Sequence, residues 1–164
     1  MHRFQITELR SVISKLSSGK ACKREDIPIE CFKALADSAG PGLHRFLDLL
    51  NLCLGSCAVP EDWMQAEVAL IFKKGDPALC DNYRPICLLA VVQKIFSALL
   101  KKRLLHAGLD ARLWKSQFGF RRGRSTEDAI YIARRHIELA HARRSGRLSM
   151  MALDWKKAFD SITF

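Results

Sequence analysis

The apolar period of this chain changes partway along, and that change sets the class of fold open to it. Up to about residue 60, apolar residues recur at helical spacing. In QITELRSVISKLS, residues 5–17, they fall at Ile6, Leu9, Val12, Ile13 and Leu16, and Gly19 ends the pattern. Pro28 suits the first turn of a second helix, IECFKALADS, which stops before AGPG. A third, LHRFLDLLNLCLGSC, runs toward Pro60. At QAEVALIFKK the period becomes two. Val68, Leu70 and Phe72 alternate with Glu67, Ala69 and Ile71, and the β-branched and aromatic content favours a strand. KKGDPALCDNYRP reads as a loop, and Leu88 to His106 as a long helix ended by Gly108. Ser125 or Thr126 caps EDAIYIARRHIELAHARR, with Asp128 placed for a capping box. Its stripe of Ile130, Ala133, Ile137 and Ala140 is expected to face inward. LSMMALD reads as a buried strand and KKAFDSI as the start of a further helix. Helices that lead into a strand-containing half predict an α+β fold.

Charge narrows the partners. The chain carries 27 Lys+Arg against 17 Asp+Glu, a formal +10, which suits an anionic partner such as nucleic acid or a membrane surface. No apolar run approaches the roughly 20 residues of a membrane span. The N-terminal MHRFQITELR has no apolar signal-peptide core, so an intracellular, unsecreted protein is expected. Its six cysteines form no CxxC and have no histidine at a finger-like offset, which suits a reducing compartment. Cys31, Cys53 and Cys87 sit among apolar neighbours and read as small core residues.

Three groups of residues can carry chemistry. Lys73, Lys74 and Arg84 flank the loop after the strand, where point charges and a planar guanidinium can reach a triphosphate; a solvated hairpin tip is the plainer reading. FGFRRGR interleaves Phe118 and Phe120 with Arg121, Arg122 and Arg124, so rings can stack on bases while arginines neutralise phosphates. An aromatic-anchored surface loop is the alternative. Asp154 follows Met150, Met151, Ala152 and Leu153, and a carboxylate there is costly unless solvated or paired. Binding Mg²⁺ would offset that cost, although such sites take one or two carboxylates plus substrate phosphates. Asp160 is a poor second ligand if Asp154 ends a strand, and no Asp-Asp pair occurs in the sequence.

VALIFKKGDPALCDNYRPICLL, SQFGFRRGRSTEDAI and MALDWKKAFDSI resemble, in order and spacing, the motifs of reverse transcriptases, most closely those of non-LTR (LINE-type) retrotransposons. The resemblance runs from about Gly19 to Ile162. It implies the fingers and first part of the palm of a right-hand polymerase: 1–24 a helical lead-in, 25–146 fingers, 147–164 the start of the palm. It implies that Asp154 is the first catalytic, metal-binding aspartate, with the Trp155 carbonyl as a backbone ligand. Phe159 matches the aromatic steric gate beneath the incoming sugar, and Lys73 and Arg84 match residues that hold the triphosphate. Gln117, Phe118, Gly119, Phe120, Arg121, Arg122 and Arg124 match a motif lining the template and nucleotide path. The implied partners are an RNA template, a DNA primer and dNTP, with Mg²⁺ or Mn²⁺ in the complete polymerase; the oligomeric state is left open. Two departures stand out. GKACKREDIP replaces a lead-in that usually reads G-K-A-P-G-x-D-G-I-P, and the family's aromatic-x-Asp-Asp hairpin would lie beyond Phe164. The expectation is therefore a reverse-transcriptase fragment, inactive alone, folded over the fingers and frayed after Gly146. A non-catalytic basic nucleic-acid-binding module is the alternative.

Overall fold

A computed structural model describes residues 2–155. The chain divides at Leu109/Asp110 into two compact units. The first holds α1 (Ile6–Lys15), α2 (Ile29–Asp37), α3 (Gly42–Ser56), a short α4 (Glu61–Met64), a hairpin of β1 (Glu67–Phe72) and β2 (Tyr83–Leu88), and α5 (Val91–His106). A short α6 (Leu109–Arg112) begins at the division, and α7 (Thr126–Ala142) belongs to the second unit.

The helical stripes find one another in the first unit. Leu9, Val12 and Ile13 of α1 are buried, and α1 packs against α2, α3 and α5. The core continues through Phe32, Leu50 and, from α5, Ile95 and Leu99. Fully burying one such side chain stabilises by roughly 1.5–3 kcal/mol. Phe96 meets Phe4 edge-on at a centroid distance of 5.9 Å and lies 6.0 Å from Trp63, so α5 closes the bundle although the hairpin separates it in sequence. Among the described residues, every buried one lies between Phe4 and Leu99.

Two expectations about this unit need correction. Only Cys53 of the three cysteines assigned to the core is buried. Cys31 falls off the Ile29, Phe32 and Ala36 stripe, and Cys87 stands opposite Val68 on an open face of the hairpin. The segment read as a loop followed by helix also contains β2, which takes Leu88 from the expected helix. Pro85 hides this strand in the sequence, because it has no N–H to donate. The register resolves the conflict. The Lys73 N–H donates to Asn82 O at 2.8 Å, so alternation makes 71:84, 69:86 and 67:88 the bonded pairs. Pro85 faces Leu70 at a non-bonded pair, where its nitrogen points away from β1.

In the second unit, α7 begins as expected. The Ser125 hydroxyl accepts the Asp128 N–H, and the Asp128 carboxylate accepts the Ser125 N–H at 2.8 Å. Its apolar stripe is not buried, however. Ile130 and Ile137 are exposed, and Ala133 and Ala140 are half-covered. LSMMALD likewise forms no strand. Residues 147–155 lie in no regular element and are exposed; among the described residues the only ladder is β1–β2, and no described strand pairs with them. The expected helix KKAFDSI, with Phe159 and Asp160, lies outside the described residues. No described helix is long and apolar enough to cross a membrane.

Candidate nucleotide and template site

Side chains directly opposite one another in an antiparallel pair share a face. Phe72 and Tyr83 occupy one face of the hairpin, with ring centroids 5.4 Å apart. Ile71 and Arg84 occupy the other. Lys73 is two residues beyond Ile71 and its N–H extends the ladder, so Lys73 and Arg84 lie diagonally on the same face, with Cα atoms about 7–8 Å apart. Both are exposed, and neither belongs to an ion pair among the described residues. The sequence reading placed Arg84 at the edge of a loop; it stands instead on a strand, which fixes its direction.

The tip between these cations is an ordered loop. Asp76 Oδ1 accepts the Ala78 N–H at 2.9 Å, Asn82 Nδ2 donates to Asp76 O at 2.8 Å, and the Tyr83 hydroxyl donates to Pro77 O at 3.0 Å. Gly75 has φ +96°, and a Cβ there would sit 2.8 Å from Asn82 Nδ2, so glycine is required at this turn. Asn82 organises the loop and is absent from the sequence-derived site. Its signal was an asparagine ten residues after β1, in a Gly-Pro-Asp-rich stretch.

The arginine–phenylalanine loop, residues 113–125, is built in the second unit around Arg121. Its guanidinium donates to Trp114 O and to Asp110 O, both at 3.0 Å, and pairs with the Asp110 carboxylate at 3.2 Å. Only 12% of that side chain is exposed. Arg121 therefore holds the loop together, with its charge paired inside the protein. Gln117 is exposed and donates from Nε2 to Gly119 O at 3.4 Å, a bond local to the loop. Outward charge is left to Arg122 and Arg124, with the Arg124 guanidinium 5.4 Å from the centre of the Phe118 ring. Phe120 is wholly exposed and has φ +58°, a left-handed conformation that is costly for a bulky residue. The loop thus spends backbone strain to present an aromatic ring to solvent.

Asp154 and Trp155 are exposed, and no group of three or more His, Cys, Asp and Glu side chains capable of holding a metal occurs among the described residues. One carboxylate and one carbonyl do not fill the octahedral shell of Mg²⁺, so the described residues build no complete metal site.

A family model described as reverse transcriptase (RNA-dependent DNA polymerase) matches residues 71–164. The chain is 33% identical over 116 residues to the retrovirus-related Pol polyprotein from type-1 retrotransposable element R1 of Bradysia coprophila, covering 70% of this chain and 11% of that protein. It is 30% identical over 159 residues to the transposon TX1 uncharacterized 149 kDa protein of Xenopus laevis, covering 96% and 12%. It is 31% identical over 161 residues to the probable RNA-directed DNA polymerase from transposon BS of Drosophila melanogaster, covering 87% and 18%. The chain therefore spans less than a fifth of the length of each of these relatives.

Proposed function

The chain belongs to the reverse transcriptase family, and on that premise we propose that it is the fingers and initial palm segment of a retrotransposon RNA-directed DNA polymerase. In this reading 1–24 is a helical lead-in, 25–146 the fingers and 147–164 the start of the palm. The reaction of the whole protein is nucleotidyl transfer. The primer 3′-hydroxyl attacks the α-phosphorus of dNTP, a phosphodiester bond forms, and pyrophosphate leaves.

The observation that carries the reading is the hairpin register. It sets Lys73 and Arg84 on one face, at a diagonal spacing that lets two cations engage one triphosphate chain. Arg122, Arg124 and Phe120 supply outward charge and an aromatic face for the RNA template. Asp154 contributes one carboxylate and Trp155 a carbonyl toward Mg²⁺ or Mn²⁺, which when bound supplies charge neutralisation at the phosphates. Phe159, by its place in the motif, is the gate beneath the sugar. Six free thiols suit an intracellular, reducing setting.

Calorimetric titration of the 164-residue polypeptide with dNTP and Mg²⁺ tests the central point. Lys73→Ala with Arg84→Ala removes two charged contacts and should weaken binding tenfold or more, since each is worth about 1.5–3 kcal/mol when made. Equal affinity in the double variant refutes the assignment. The exposed arginines and Phe120 also support a second reading, a non-catalytic nucleic-acid-binding module. That module would bind RNA while showing no dNTP affinity that depends on Lys73 and Arg84.

A further inference from the structure

The loop that departs most from the family pattern, residues 17–28, is held at three points, each by a carboxylate on a backbone N–H. Glu30 Oε1 accepts from Gly19 N at 2.7 Å, Glu67 Oε2 from Arg24 N at 3.1 Å, and Asp26 Oδ2 from Val91 N at 2.6 Å. The last two contacts lie at the two roots of the hairpin. Glu67 is the first residue of β1 and pairs with Leu88, the last of β2; Val91 opens α5 three residues later. The Asp26–Val91 bond also caps a helix from 65 residues away in sequence. The residue at the N-cap position of α5, Ala90, has no side-chain oxygen to do so, and no acid occupies the first turn. Asp26 is partly covered, and its second oxygen accepts the Ile27 N–H at 2.8 Å, so the carboxylate is fixed in direction.

A two-stranded hairpin is marginal by itself, and this one is exposed along most of both strands. Its orientation therefore depends on its roots. We propose that Asp26 is a positioning residue: by fastening the 17–28 loop to the start of α5, with Glu67 fastening it to the start of β1, it clasps the hairpin and holds Lys73 and Arg84 in register for the triphosphate. The functional half of this inference rests on the nucleotide reading given above; the mechanical half does not.

The test compares parent, Asp26→Ala and Asp26→Asn in the intact chain, by amide hydrogen exchange and by dNTP·Mg²⁺ titration of the same samples. In Asp26→Ala, exchange at Val91 and across β1–β2 should quicken about fivefold, the size of a lost helix cap, while amides of α1–α3 keep their protection. The dNTP dissociation constant should rise with it. Asparagine retains one acceptor oxygen, so Asp26→Asn should recover protection at Val91 and most of the affinity. Unchanged β1–β2 exchange in Asp26→Ala overturns the proposal, and so does an equal rise throughout the first unit, which would mark Asp26 as an ordinary stabilising residue. If Lys73→Ala with Arg84→Ala leaves dNTP affinity unaltered, the nucleotide reading falls, while the exchange pattern still decides whether the clasp exists.

Discussion

Replacing Arg103 by methionine should cost the first unit about 2 kcal/mol, most of it from four contacts made by one guanidinium. Arg103 on α5 donates to His2 O, to Arg3 O at 2.6 Å, and to the Glu8 carboxylate at 2.9 and 3.3 Å. It also lies 4.4 Å from the centre of the Phe4 ring. Phe4 is buried, and its backbone N–H and C=O are both engaged by the Asn51 side chain of α3. Arg103 thus ties residues 2–4 to α1 and α5 at once. The Glu8 pair, each side chain about one-quarter exposed, contributes about 1 kcal/mol after solvent screening. The ring contact contributes about 0.5–1 kcal/mol. The two backbone bonds add less than their usual worth, because the freed carbonyls at exposed His2 and Arg3 regain water. Methionine keeps much of the stem volume, so cavity formation adds little.

Urea unfolding should show this as a lower midpoint at unchanged slope, and heating as a fall in Tm of roughly 8–15 °C for a unit of this size. A loss below about 0.5 kcal/mol would refute the account of Arg103 as the tie. The pH dependence gives a second reading of the same pair. Hydrogen bonding from Arg103 holds the Glu8 carboxyl below the usual glutamate range, with partial burial opposing and the Gln5 N–H assisting. A carboxylate with a depressed folded-state pKa stabilises above its unfolded pKa and loses that contribution as pH falls through the folded value. The parent should therefore lose stability on acidification below the ordinary glutamate range, and Glu8→Gln should flatten that part of the profile.

Gly146→Ala should open the turn after α7, because a Cβ there would lie 1.9 Å from the backbone oxygen of Ala140; protection of the last turn of α7 should fall in hydrogen exchange while its first turn, held by Ser125 and Asp128, is unaffected. In RNA binding, Arg122→Ala with Arg124→Ala should flatten the slope of log K against log salt by about 1.4, if each neutralises one phosphate of a single strand. Arg121→Ala should act differently, loosening residues 113–125 with little direct loss of phosphate contact, and a pure slope change of about 0.7 from Arg121 alone would show its charge to be free after all.

Much of the fold was legible in local sequence. The apolar spacing of 5–17, 29–38 and 43–57 marks α1, α2 and α3 to within a few residues, because each stripe is buried against another helix of the same unit. The Ser125–Asp128 box marks the start of α7 for a wholly local reason, since both hydrogen bonds close within four residues. Strand β1 shows in its alternation, and the family is identifiable from three ordered motifs. Tertiary structure decided what depended on a distant partner. Pro85 conceals β2 until the register with β1 turns its nitrogen outward, and only that register sets Lys73 and Arg84 on one face. The apolar runs at Ile130–Ala140 and Leu148–Leu153 resemble buried elements, yet nothing in their own sequence supplies the surface or strand to cover them. Arg121 reads like its neighbours Arg122 and Arg124, and only Asp110 and the Trp114 carbonyl assign it to the scaffold. Asp26 caps a helix 65 residues away, a pairing no sequence window contains, because periodicity and capping rules see neighbours in the chain and this contact exists only between neighbours in space.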